Sequence, residues 1–182
     1  MSKIRIDRRI ARSRTAIAAA FIELMLQNGY DALTVEAVTE RANVGRSTFY
    51  MHFRSKEDVL RQCLTNTNRD LARALDASTS GDQMVPLLQH YYEQRRTNHV
   101  FLVAPVRALW VRSLADEIEV KITARVSPRA LLPLRLIALH LAEIEIGLVA
   151  QWLLARTPVK ANRVAEALLA TTRAAAAALL PE

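Results

Sequence analysis

Apolar residues recur along the chain at intervals of three, four and seven, the period of helices that each bury one face. In the first segment Ile10, Ile17, Phe21, Leu24 and Met25 form one such stripe, with Arg8, Arg9, Arg12 and Glu23 elsewhere on the same helix. Asn28-Gly29 follows, and glycine readily takes the left-handed backbone that ends a helix. Thr34 stands before Val35-Glu36-Ala37-Val38, where its hydroxyl can cap a short helix running to Ala42. Asn43-Val44-Gly45 separates that helix from a second short one, Arg46 to about His52. Asparagine tolerates the turn's left-handed geometry, and Gly45 can serve as the N-cap. Ser55 then caps a long helix with Glu57 and Asp58 in its first turn, and Val59, Leu60, Leu64, Leu71 and Leu75 carry it to about Asp76.

Ala77-Ser78-Thr79-Ser80-Gly81-Asp82 reads as a linker. Beyond it Pro105, Pro128, Pro133 and Pro158 punctuate further helical stretches, the longest spanning about Pro133 to Arg156 and Lys160 to Leu180. No segment alternates as a strand would. The expected fold is all-α: an N-terminal three-helix helix-turn-helix domain over about residues 1–57, its helix-turn-helix near 34–53, then a larger helical domain over 58–182.

Composition narrows the class. With 51% hydrophobic and 24% charged residues the chain is globular, and one cysteine, Cys63, excludes a disulfide framework or a cysteine-rich zinc finger. The basic start is followed by no apolar signal core, and Glu143 and Glu145 interrupt the best candidate span, so a cytoplasmic protein without a membrane partner is expected. Of the net charge of +7, residues 1–56 hold +5. A basic head on a near-neutral body suits a polyanion, although a cationic arm kept for solubility has the same composition.

The second short helix distinguishes these readings. Arg46, Ser47, Thr48, Phe49, Tyr50, Met51 and His52 supply donors for phosphates and base edges and no acid to repel them. Phe49 and Phe53, four apart, can turn inward with Val44, leaving Arg46, Ser47, Tyr50 and Met51 toward solvent. A solvated structural helix remains the alternative on pattern alone.

Gly29-Tyr30-Asp31-Ala32-Leu33-Thr34-Val35, Ala42 through Phe53, and Ser55-Lys56-Glu57-Asp58-Val59-Leu60 together resemble the DNA-binding domain of the TetR family of transcriptional regulators, over about residues 8 to 60. Val38-Thr39, Asn43 and Gly45 depart from the usual Ile-Ala, turn glycine and capping serine. The resemblance implies that Thr34, Thr48, Tyr50 and Lys56 hold phosphates and that Arg46, Ser47 and Met51 lie at or near base edges. It further implies that His52, counted with this DNA-binding set, joins Phe53 in closing the small domain's core. The positive arm before Asp7 matches an extension that can reach the minor groove.

In the larger domain His140, Glu143, Gly147 and Gln151 draw a polar stripe along an otherwise apolar helix, and the last helix offers Ala167, Ala170, Ala174 and Ala178 for close approach. The resemblance implies that these two helices, through Gly147 and the alanines, pair with their copies in a homodimer. Packing within one chain is the alternative. Tyr92, His99, Phe101, Arg107, Trp110, His140, Glu143, Gln151 and Trp152 could line an apolar effector cavity with convergent polar groups, or could simply fill the core. No catalytic set, metal-ligand spacing or cofactor fingerprint is found, so neither an enzyme nor a cofactor is expected. The reading is a regulator of double-stranded operator DNA: a repressor released by a small molecule, or else a ligand-independent regulator or activator, with a helical enzyme or scaffold more distant.

Overall fold

A computed structural model describes residues 2–124, 129–155 and 158–181, with side chains from residue 10 onward. Among the described residues there are helices and turns and no strand. The chain divides into two units, residues 1–65 and 66–182.

The first unit holds α1 (Ser2–Asn28), α2 (Val35–Arg41), α3 (Arg46–His52) and the start of α4 (Lys56–Ala72). The backbone of the N-terminal arm is helical, continuous with α1 from Ser2 onward. Ile17, Phe21 and Met25 are fully buried, each withdrawal from water being worth roughly 1.5–3 kcal/mol. Ile10 departs from the expected stripe and is 46% exposed, one end of the helix running past what covers the rest. Two left-handed residues make the turns: Gly29 at φ +78° ends α1, and Asn43 at φ 51° turns α2 toward α3. Thr34 Oγ1 accepts the Ala37 N–H at 3.1 Å, capping α2. Ser55 Oγ accepts the Asp58 N–H at 3.3 Å, while the Asp58 carboxylate takes the Arg54 N–H at 2.9 Å. Cys63 lies half-buried on α4, and burial pushes its thiol up to about 11.

The second unit holds the rest of α4, then α5 (Gly81–Glu93), the short α6 (Arg95–Asn98), α7 (Val106–Thr123), α8 (Leu134–Leu154) and α9 (Ala161–Leu179). α7 packs on α8, and α9 packs on both α5 and α8. α8 is long and apolar enough to cross a membrane by length and composition, yet Ile137, Leu141, Ile146 and Val149 are buried within the unit. The segment expected as a linker is a pinned turn. Ser80 and Gln83 form a capping box that starts α5 at Gly81. Arg173 of α9 donates to the carbonyls of Ala74, Asp76 and Thr79 at 3.1, 2.7 and 2.6 Å, satisfying backbone acceptors that a turn leaves open.

Buried polar groups in this unit fall into two kinds. Asn68 donates to Ser113 Oγ at 2.9 Å and accepts the Trp110 indole N–H at 2.8 Å, so the three satisfy one another. Glu145 is fully buried beside the Thr172 hydroxyl, and among the described residues no well-formed hydrogen bond reaches its carboxyl oxygens. Burial pushes the Glu145 carboxyl up to about 8. Between its ordinary value of 4.5 and about 8, the folded state holds a proton that the unfolded state releases. Stability therefore falls as pH rises through that window, by up to about 1.4 kcal/mol per pH unit, and levels off above it. Glu145→Gln keeps the shape without the ionisation. In urea melts its advantage over the parent should widen from about pH 5 to about pH 8, whereas parallel stability curves would mean the carboxyl meets solvent.

Candidate nucleic-acid interface

α3 has seven residues, too few to hold a helix by itself, so its side chains divide sharply between anchoring and display. Phe49 is fully buried and Phe53 nearly so, their rings 5.7 Å apart, with Val44 half-buried near them in sequence. Arg46, Ser47, Tyr50 and Met51 face solvent. Tyr50 is 54% exposed with its ring edge-on to Phe49, and Met51 is 73% exposed. Thr48 and His52 are half-buried and line one side of a groove of about 540 Å³ with Asn43, Met51 and Ile10. The outlying Ile10 thus borders the face that α3 presents. Thr34 spends its oxygen as a cap acceptor, which leaves its hydroxyl proton to donate outward.

Lys56 is placed differently from the rest of the expected set. Its ammonium donates to the Tyr30 and Leu33 carbonyls at 2.9 and 3.1 Å, approaches that of Asp31 at 3.4 Å, and sits 4.4 Å from the Tyr30 ring centroid. It joins the start of α4 to the turn between α1 and α2, and its donors are occupied inside the unit. Other cations of this unit are also paired. Arg41 binds Glu23, holding that carboxyl below the ordinary range, and Arg14 bonds Gln62 while its guanidinium lies 5.9 Å from the Phe53 ring. Arg46 alone of the expected DNA-contacting residues forms an ion pair on the open face, with Glu36 at 2.8 Å. Sequence reasoning passed over Glu36, whose signal was an acid in the first turn of α2, two residues after the capping Thr34.

Residues 17–63 match the family described as bacterial regulatory proteins, tetR family. The helix-turn-helix segment of this chain is thus of the tetR type. The uncharacterised HTH-type regulator YxbF of Bacillus subtilis is 35% identical over 75 residues, 41% of this chain and 19% of that protein. The HTH-type transcriptional repressor DhaR of a Mycobacterium species is 34% identical over 87 residues, 44% of this chain and 43% of that protein. The chain thus spans less than half the length of these curated relatives. The likeness of fold extends further than the sequence match. A tetR regulator structure from Streptococcus agalactiae overlays with a TM-score of 0.60 at 24% identity, covering 93% of this chain and 98% of that one.

The expected effector residues of the second unit are engaged mainly with their neighbours in the chain's own fold. Trp110 is wholly buried, with Tyr91 stacked on it and Phe101 against its edge. Tyr92 stacks on Trp152, whose indole N–H donates to the Val159 carbonyl at 2.9 Å. Arg107 pairs with Glu143 at 2.5 Å, Glu143, His99, His140 and Gln151 being exposed. Ala167, Ala170, Ala174 and Ala178 are exposed along α9, and Gly147 is half-buried on α8. Among the described residues no group of three or more His, Cys, Asp or Glu is placed to hold a metal ion.

Lys56→Met preserves the stem over Tyr30 but strands carbonyls at a half-buried turn. Chemical denaturation should show a loss of about 1–3 kcal/mol. A variant as stable as the parent would return the ammonium to solvent and to phosphate.

Proposed function

We propose that the chain is a sequence-specific regulator of transcription that binds double-stranded operator DNA through the exposed face of α3. The observation that carries this reading is that face itself: Arg46, Ser47, Tyr50 and Met51 project from a helix anchored by Phe49 and Phe53, and the helix contains no acid. A helix of this width fits the major groove, where such donors meet phosphates and base edges. Thr34, Thr48 and Tyr50 hold phosphates, Arg46, Ser47 and Met51 face bases, and His52 supports the helix from the groove behind it.

The regulator acts as a homodimer in the cytoplasm, where its DNA lies. Support comes from α8 and α9, which expose Leu136, His140, Glu143, Gln151 and Leu154 on one, and Ala167, Ala170, Ala174 and Ala178 on the other. Small residues let helices approach closely, and two linked reading heads multiply specificity. Repression relieved by a small molecule is the regulatory mode proposed, the effector entering the second unit near its aromatic side chains. A regulator needing no effector is the second reading, favoured by the mutual packing of Trp110, Tyr91 and Phe101 and of Tyr92 with Trp152.

Fluorescence anisotropy with the chain's own upstream DNA tests the binding. Affinity should fall steeply with salt, the slope being about −0.9 per phosphate neutralised. Tyr50→Phe should weaken operator and random duplex alike, and Arg46→Ala should also lower the ratio between them. An unchanged ratio for Arg46→Ala would remove its base-reading role. Ala170→Arg and Ala174→Arg each put a charge into the proposed seam, so light scattering should find monomers, and dimers in both variants would move the interface elsewhere.

A further inference from the structure

The ion pair between Arg46 and Glu36 lies on the face that would meet DNA, and its geometry says how the arginine is held. Arg46 Nη1 donates to Glu36 Oε1 at 2.8 Å, bridging the first turns of α3 and α2. The two side chains are 61% and 72% exposed. So exposed a pair contributes little to folding, because water screens it and two long side chains lose freedom to form it. A carboxylate at a polyanion-binding surface also repels phosphate. An acid in the first turn of α2 suits the helix dipole, but that does not require it to engage Arg46, and orientation of the arginine is the effect specific to the pair.

We propose that Glu36 is a positioning residue for base recognition, engaging one terminal nitrogen of Arg46 so that the Nε–Nη2 edge is presented to guanine. The proposal rests on the reading of the first unit as a reader of duplex DNA. Guanine offers O6 and N7 side by side in the major groove, and a guanidinium edge with two parallel N–H groups matches them. An unrestrained arginine loses rotamer freedom when it docks, and a partner that already holds the chain removes part of that loss. The same carboxylate repels every duplex equally, so it lowers affinity for wrong sites while the oriented arginine recovers it at the right one. That is specificity built from an attractive and a repulsive element together. Each half-site should therefore contain a G·C pair set by Arg46, and its discrimination should depend on a residue that need not touch the base.

The test uses the full chain and random-sequence duplexes. Sequences bound by the parent are enriched, and anisotropy titrations at fixed salt then compare the enriched site, the same site with that G·C pair replaced by A·T, and a random duplex. The parent should enrich a site with one such pair per half, for which Arg46→Ala shows no preference. Glu36→Ala should lose about tenfold in preference for G·C over A·T and bind random duplex about two- to threefold more tightly. Glu36→Gln keeps an acceptor oxygen in place without the charge, so it should retain most of the preference and still gain random affinity. Undiminished G·C preference in Glu36→Ala would overturn the proposal. Equal losses in the alanine and glutamine variants would overturn positioning in favour of charge alone. Failure of the parent to bind any duplex would remove the DNA-binding reading itself, a result distinct from either.

Discussion

A seven-residue helix has no stability of its own in water, because the cost of its first turn is never recovered by so few backbone bonds. α3 is therefore a product of its anchors. Phe49 and Phe53 bury one side of it, Gly45 starts it without a side-chain cap, and Asn43 accepts the left-handed turn that brings it against α2. What the first unit presents depends on that constraint: with two aromatics committed inward, Arg46, Ser47, Tyr50 and Met51 are left on the solvent side. Lys56 and the paired capping bonds of Ser55 and Asp58 act at the margins of the same unit, fixing the segments that lead into and out of the helix-turn-helix.

The second unit solves a different problem, that of polar groups inside helix packing. Asn68 has both ends of its amide satisfied, by Ser113 and by Trp110, so it ties α4 to α7 with directional bonds that apolar contacts cannot supply. Arg173 performs a related task for backbone carbonyls between α4 and α5. Glu145 is the contrary case, a carboxyl kept in the interior beside Thr172 with no well-formed hydrogen bond among the described residues, and burial favours its neutral form. One unit thus contains both a satisfied polar node and an unsatisfied one.

Much of the first unit was legible from local rules. Thr34 as a cap, Gly29 and Asn43 as turns, and the bounds of α2 and α3 follow from chemistry within a few residues of each site, and the all-α fold follows from helical period. What could not be read depended on residues distant in sequence. Lys56 is on a helix start that looks open, and only the return of the α1–α2 turn supplies its carbonyls. The segment from Ala77 to Asp82 has linker composition, and only Arg173, nearly a hundred residues later, makes it a fixed turn. Ile10 belongs to the apolar stripe of α1 by period, yet the unit does not reach far enough to cover it. Asn68 and Glu145 did leave a trace: Asn68 stands four residues from Leu64 and three from Leu71, and Glu145 stands four from both Leu141 and Val149. A polar residue in a core register is a signal that pattern reading discards too easily.

The state of Cys63 has a practical consequence. Burial lifts its thiol from 9.0 to about 11, so near neutral pH its thiolate fraction is about a hundredfold below that of an ordinary cysteine. Alkylating reagents act on the thiolate, and the sequence contains no second cysteine to compete. Alkylation of the folded chain is therefore slowed by the scarcity of thiolate, and any local opening of α4 that returns the thiol to water speeds it, with no label to introduce.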